Sequence, residues 1–149
     1  MLTSARDWLL VAAALSIAAS LLHLACIIGG PDWYRALGAG ERMAQLAARG
    51  RPGPAIVTVA IAGVLAVWAL YALSAAGVIV RLPLMRVALV LISAALLARG
   101  IGVPFMQRWR PDLSPTFLYG SSAIVLAYGL TFAIGTWLAW PTLSMKEQL

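Results

Sequence analysis

Long apolar runs separated by short polar breaks make up most of this chain. The runs fall near residues 8–28, 55–80, 84–106 and 117–140. Each is of the length needed to cross a hydrocarbon core of roughly 30 Å, about 20 helical residues. Together they leave little chain for a soluble domain.

Within the first run Ser16, Ser20 and His23 are spaced four and three residues apart. In a helix they form one polar stripe, which should face other helices and not lipid. Gly29, Gly30 and Pro31 then end that helix, because glycine accepts a left-handed termination and proline cannot continue the hydrogen-bond ladder. The connection over 31–54 is too long for a simple turn. Asp32 is placed to cap a short helix starting at Trp33 and Tyr34, and 41–49 carries a second helical pattern with Met43 and Leu46 on one side, closed by Gly50. This segment reads as a helix lying among the headgroups, or, more sharply, as a lid over the mouth of the bundle.

In the second run Ala62 and Ala66, then Ala72 and Ala76, are small residues four apart that permit close helix approach. Trp68 and Tyr71 fall near its middle, either packed in the core or lining a cavity for an apolar ligand. The turn over 80–84 makes the second and third runs antiparallel neighbours. Arg99 follows Arg86 by 13 residues, or on the order of 20 Å along a helix axis. That leaves it below the far interface, either snorkelling to the headgroups or buried against a carboxylate or an anionic ligand. Arg108, Trp109, Arg110, Pro111 and Asp112 form a polar turn. In the fourth run Ser122, Gly129, Ala133 and Thr136 keep one helical side small, and Trp137 and Trp140 complete an interfacial belt. The expected fold is a single all-α transmembrane domain, four spans in an antiparallel bundle with an interfacial helix in the first loop.

Composition agrees with the bilayer as solvent: of 149 residues, 62% are hydrophobic and 11% charged, well outside the soluble average. The net charge of +6 would suggest nucleic acid in a soluble protein. Here the arginines cluster in turns and at segment ends, where anionic headgroups are their partners, and no nucleic-acid site is expected. The apolar run ending in Leu24, Ala25 and Cys26 has some likeness to a lipoprotein signal. His23 stands where such signals carry an aliphatic residue, so the run is read as a retained helix.

Four spans put both termini on one side, with Arg6, Arg81, Arg86 and Lys146. The other side has Arg35, Arg42, Arg49, Arg51, Arg108 and Arg110. The raw count favours a cytoplasmic long loop, whereas the first helix, with Arg6 and the amino group before it, favours cytoplasmic termini. The first helix usually dominates, so the termini are placed inside.

The polar residues His23, Thr58, Arg99, Tyr119, Ser121 and Ser122 all fall in the membrane half nearer the long loop, with Asp32 and Glu41 in that loop. Unpaired polar groups are costly in hydrocarbon, so they should find one another, water or a ligand. Histidine changes charge near neutral pH, Glu41 or Asp32 is available to neutralise Arg99, and Tyr119 to donate to an anionic headgroup. The candidate ligand-binding set is His23, Glu41, Trp68, Tyr71, Arg99, Tyr119 and Ser122. One histidine and one cysteine are too few for a metal centre, a cysteine–histidine nucleophile lacks an orienting third group, and Gly38-Ala39-Gly40 lacks the strand of a dinucleotide fingerprint. No cofactor is expected.

Trp33-Tyr34-Arg35-Ala36-Leu37-Gly38-Ala39-Gly40-Glu41-Arg42-Met43-Ala44 and Trp68-Ala69-Leu70-Tyr71-Ala72-Leu73-Ser74-Ala75-Ala76-Gly77-Val78-Ile79, followed by Arg81-Leu82-Pro83-Leu84, resemble a group of small, uncharacterised four-helix bacterial inner-membrane proteins. In size and span count the chain is also similar to DoxX-like proteins. It resembles a sterol-isomerase-like family in topology too, but without that family's membrane-embedded acidic residues. The resemblance implies a bacterial inner-membrane location and brings no activity. The expected function is non-enzymatic: binding or helping to move an apolar or anionic amphiphile, or serving as an accessory subunit or homo-oligomer among membrane lipids. The alternative is a membrane enzyme acting on a lipid or quinone, with His23 as acid or base and Arg99 holding an anion.

Overall fold

The computed structural model describes residues 4–144, and those residues are all-helical. Helix α1 is Ala5–Ala36, α2 Glu41–Ala48, α3 Gly53–Ala75, α4 Met85–Ile101, α5 Val103–Trp109 and α6 Pro115–Ser144. Helices α1, α3 and α6 are long and apolar enough to cross a membrane. The pair α4 and α5 makes a fourth if its 65° bend is one broken span.

Helix α1 starts at a reciprocal cap, the Asp7 amide donating to Ser4 Oγ at 3.2 Å and the Ser4 amide to Asp7 Oδ2 at 3.3 Å. Its helical geometry breaks at Gly30, where φ is 68°, a conformation glycine adopts without Cβ strain. Beyond the break, residues 31–36 resume as a last helical piece, in which Asp32 pairs with Arg35 instead of capping. The second apolar run ends earlier than its hydropathy suggests. Helix α3 stops at Ala75, and Ser74 ties the following turn by donating to the Val80 carbonyl (2.9 Å) and accepting from the Leu82 amide (3.0 Å). The third run is not one straight helix over 84–106. It breaks at Gly102, just before Pro104, whose missing N–H and ring disfavour an uninterrupted helix.

Helix α3 lies against α1, α1 against α6, and α6 against α4; α3 and α4 meet only slightly, and the backbones of α1 and α4 do not come together, though side chains of both enter the main core. Neighbours run in opposite directions. On α6, Ser122 meets Arg99, Gly129 meets Leu96 and Leu97, and Trp140 meets Arg86. The main core gathers at the end where the chain begins, with Leu9, Ala12, Ala72, Met85, Leu89 and Phe132 among its buried members. Of the polar stripe of α1, the two serines face other helices, the Ser16 hydroxyl bonding Tyr128 of α6 and Ser20 donating to the Ala62 carbonyl of α3 at 2.9 Å, whereas half-buried His23 bonds its own helix. Of the four small residues singled out on α3, Ala62, Ala72 and Ala76 are buried, while Ala66 is exposed.

Large apolar side chains such as Leu21, Ile56, Leu91 and Ile124 point outward. Hydrocarbon is as apolar as these side chains, so helix association in it rests on close packing and hydrogen bonds. Helices α4 and α6 pack closely. A Cβ at Gly100 would lie 2.8 Å from the Leu126 Cα, and one at Gly129 would lie 3.0 Å from the Leu96 Cβ and 3.1 Å from the Leu97 amide nitrogen. Gly129→Leu should therefore push the helices apart at a cost of about 1–3 kcal/mol. It should lower the melting temperature of the detergent-purified protein, followed by near-ultraviolet circular dichroism. Gly120→Ala on the same helix, with nothing within 4 Å, should leave melting unchanged or slightly raised; equal melting of the two variants would refute this account of the seam.

Candidate functional site

The side of α6 kept small by Ser122, Gly129, Ala133 and Thr136 turns toward α4, and its effect differs along the seam. At Gly129 the helices are in tight contact. One to two turns further, at Ala133 and Thr136, the seam opens into a groove of about 560 Å³. Val90 and Ser93 of α4 and Ala133, Thr136, Trp137 and Trp140 of α6 line it. The lining is mainly apolar: Ser93 turns its hydroxyl to the Leu89 carbonyl at 2.7 Å. Thr136 is the exception, since its Oγ1 is buried and has no hydrogen-bond partner among the described residues. A buried hydroxyl without a partner costs about 1–3 kcal/mol.

Arg86 stands at the outer end of the groove, one turn before Val90. Its guanidinium carbon lies 4.5 Å from the Trp140 ring centroid and Nη2 donates to the Trp140 carbonyl at 3.1 Å. Its Nε is buried without a partner. Nearby Arg81 donates to the Thr142 and Leu143 carbonyls at the end of α6, where the helix dipole favours a cation.

The expected polar constellation separates into local pairs. Arg99 and Ser122 do come together, Nη1 donating to Oγ at 2.9 Å, and Arg99 has no carboxylate partner among the described residues. Tyr119 is exposed one turn before Ser122. His23 is held by its own helix, Nδ1 lying 2.7 Å from the Ala19 carbonyl; an oxygen that only accepts requires the proton on Nδ1. Thr58 bonds the Pro54 carbonyl (2.7 Å) and lies 3.3 Å from the Tyr34 hydroxyl. Trp68 and Tyr71 pack at the other end, where Tyr71 donates to the Pro83 carbonyl at 3.3 Å. They do not line the groove, because α3 ends so soon after them that Tyr71 reaches the turn. The aromatic walls are Trp137 and Trp140, which the sequence places only as belt residues.

Glu41 and Asp32 are taken by Arg35, at 2.8 and 2.9 Å, and so do not neutralise Arg99. The hydrogen bonds from Arg35 hold the Glu41 carboxyl below the usual carboxylate range. Helix α2 rests on α1 through Ala44, packed with Cys26 and Tyr34. The turn before it crosses to the start of α6. A Cβ on Gly38 would strike the Phe117 ring, and one on Gly40 would lie 2.5 Å from Arg110 Nη2. Arg110 binds both Asp112 oxygens at 2.9 Å and reaches the Gly38 and Ala39 carbonyls at 3.4 and 3.3 Å. The first loop thus covers the α1–α3 side and touches the first turn of α6. The groove lies at the opposite end of α6.

The clasp is pH-dependent. Hydrogen bonds from Arg110 hold the Asp112 carboxyl below its ordinary value, so its contribution is complete above about pH 4 and is lost as the pH falls through the depressed folded value. Both side chains are over a third exposed, so the effect is small. Arg110→Ala and Asp112→Asn should each speed amide exchange at Gly38 and Ala39 about two- to fivefold at pH 7. Wild-type protection, corrected for intrinsic rates, should decline only at acid pH. Unchanged exchange in both variants would mean that the loop is held by Phe117 and α2 alone. No family model, curated protein or solved structure matches this chain.

Proposed function

We propose that the chain is a four-span protein of the bacterial inner membrane that binds a lipid-like amphiphile. In this reading α4 and α5 form the broken third span of an antiparallel bundle, α2 lies in the headgroups, and both termini are cytoplasmic. The resemblance to small four-helix inner-membrane proteins, DoxX-like in size, belongs to the same proposal. The observation that carries it is the α4–α6 groove: about 560 Å³, mainly apolar and walled by two tryptophans. Such a volume is within the range of small-molecule sites. Binding is favoured over catalysis by His23 and Arg99, because His23 bonds its own helix and Arg99 bonds Ser122 of α6, on helices whose backbones do not come together.

Native mass spectrometry from a mild detergent tests the reading. The expected spectrum contains a retained lipid-sized adduct, and Ala133→Phe, which fills the groove, should remove most of it without loss of the folded protein. An adduct indifferent to that substitution, or none at all, rules the groove out as the binding site. A co-purifying polypeptide without lipid would favour an accessory subunit instead.

A further inference from the structure

The outer end of the groove carries chemistry that the apolar lining does not require. We infer that Arg86 is the headgroup position of the groove, and that its ligand is an anionic phospholipid taken from the leaflet on the side of the chain termini. This rests on the amphiphile reading above and specifies the ligand.

The geometry follows a lipid from chain to headgroup. From Ser93 to Arg86 is seven residues, about 10 Å along the helix axis, so the apolar lining faces the upper acyl region and the guanidinium stands at its rim. Arg86 uses only part of its bonding capacity. Nη2 goes to the Trp140 carbonyl, Nε is shut inside the protein and out of a ligand's reach, and none of the ion pairs among the described residues includes the side chain, so the outer edge of the guanidinium at Nη1 is the part left to a ligand. Its guanidinium carbon sits over the Trp140 ring at 4.5 Å from the centroid, a cation–π contact that restrains the charged group at this end. The last carbonyls of α6, at Thr142 and Leu143, take Arg81, so Arg86 has the Trp140 carbonyl and no carboxylate among the described residues.

A phosphate diester matches this end. It offers oxygens to an arginine fork, the geometry for which guanidinium is suited. A choline or ethanolamine group meets no carboxylate among the described residues here, and the Trp140 face that would attract an ammonium already holds Arg86. Anionic lipid is also what the cytoplasmic leaflet supplies to basic residues at its surface, in keeping with cytoplasmic termini.

Bromolipid quenching of tryptophan fluorescence tests both the ligand class and the position, since Trp137 and Trp140 line the groove. The full chain is reconstituted into phosphatidylcholine vesicles containing the same small mole fraction of chain-brominated phosphatidylglycerol or chain-brominated phosphatidylcholine. Brominated phosphatidylglycerol should quench as though enriched on the order of tenfold at the site, as expected for one charge-assisted contact. Arg86→Gln should bring it down to the phosphatidylcholine level, while Arg42→Gln on α2 should not. Should the Gln variant fail to insert, Arg86→Lys serves in its place and should lower the enrichment without abolishing it; the wild-type comparison decides independently of either.

Equal quenching by the two phospholipids, both above their mole fraction, overturns the anionic selectivity and leaves amphiphile binding standing. Quenching by neither beyond its mole fraction removes both readings. A brominated fatty acid that quenches where phosphatidylglycerol does not overturns the phosphate assignment, and enrichment that survives Arg86→Gln overturns the residue.

Discussion

Helices α4 and α6 approach closely enough at Gly100 and Gly129 that a Cβ at either position would press on the opposing helix, and the rest of the structure is arranged around that contact. In water, burial of apolar side chains would drive the helices together. In hydrocarbon that force is absent, so dispersion between closely fitted backbones and a few hydrogen bonds must replace it. The contact brings Arg99 to Ser122 on one side. On the other it determines where the helices cease to fit and the groove begins.

The same physics explains the α1 interfaces. Ser16 and Ser20 are too small to fill much space, but each spends its hydroxyl on a different neighbour, Tyr128 of α6 and the Ala62 carbonyl of α3. A water-soluble bundle gains little from such bonds, because the unfolded chain bonds to water instead. Inside a bilayer the unbonded alternative is costly, so two serines one turn apart fix which helices flank α1. The outcome is a row in which α1 and α6 are central and α3 and α4 are flanking, with little contact between the outer two.

Much of this is legible in the sequence, and what is not has physical reasons. Run length and turn residues predict the helices, the break at Gly30 and the polar stripe, because these are local properties. Glycine also ends the straight part of the third run, at Gly102, yet continuous hydropathy conceals the bend into α5. The polar constellation fails to assemble because depth in the membrane is only one coordinate. Run length alone gives His23 and Arg99 a similar expected depth, but α6 stands between the backbones of α1 and α4. Glu41 was available to Arg99 by depth alone, whereas Arg35, six residues away in the chain, captures it. The groove arises from what is missing between two helices, and an absence of contact leaves no periodic mark. The small residues at Ala133 and Thr136 are its only trace, and they look the same whether a helix or a lipid covers them.

The two arginines of α4 show why the groove, and not the polar half, is the better site. Both face α6 and both lack a carboxylate among the described residues. Arg99 is set one turn from the 65° bend into α5, where the backbone leaves its straight course and the charge is near its own helix end. Its contact is a serine hydroxyl. Arg86 adds an aromatic stack that orients the guanidinium, and it stands over an apolar trough closed at its inner end by the Gly129 contact. Orientation matters because a fixed fork loses less entropy on binding than a mobile one. An amphiphile needs a polar contact and an apolar surface in register, and the Arg86 end supplies both on the same pair of helices.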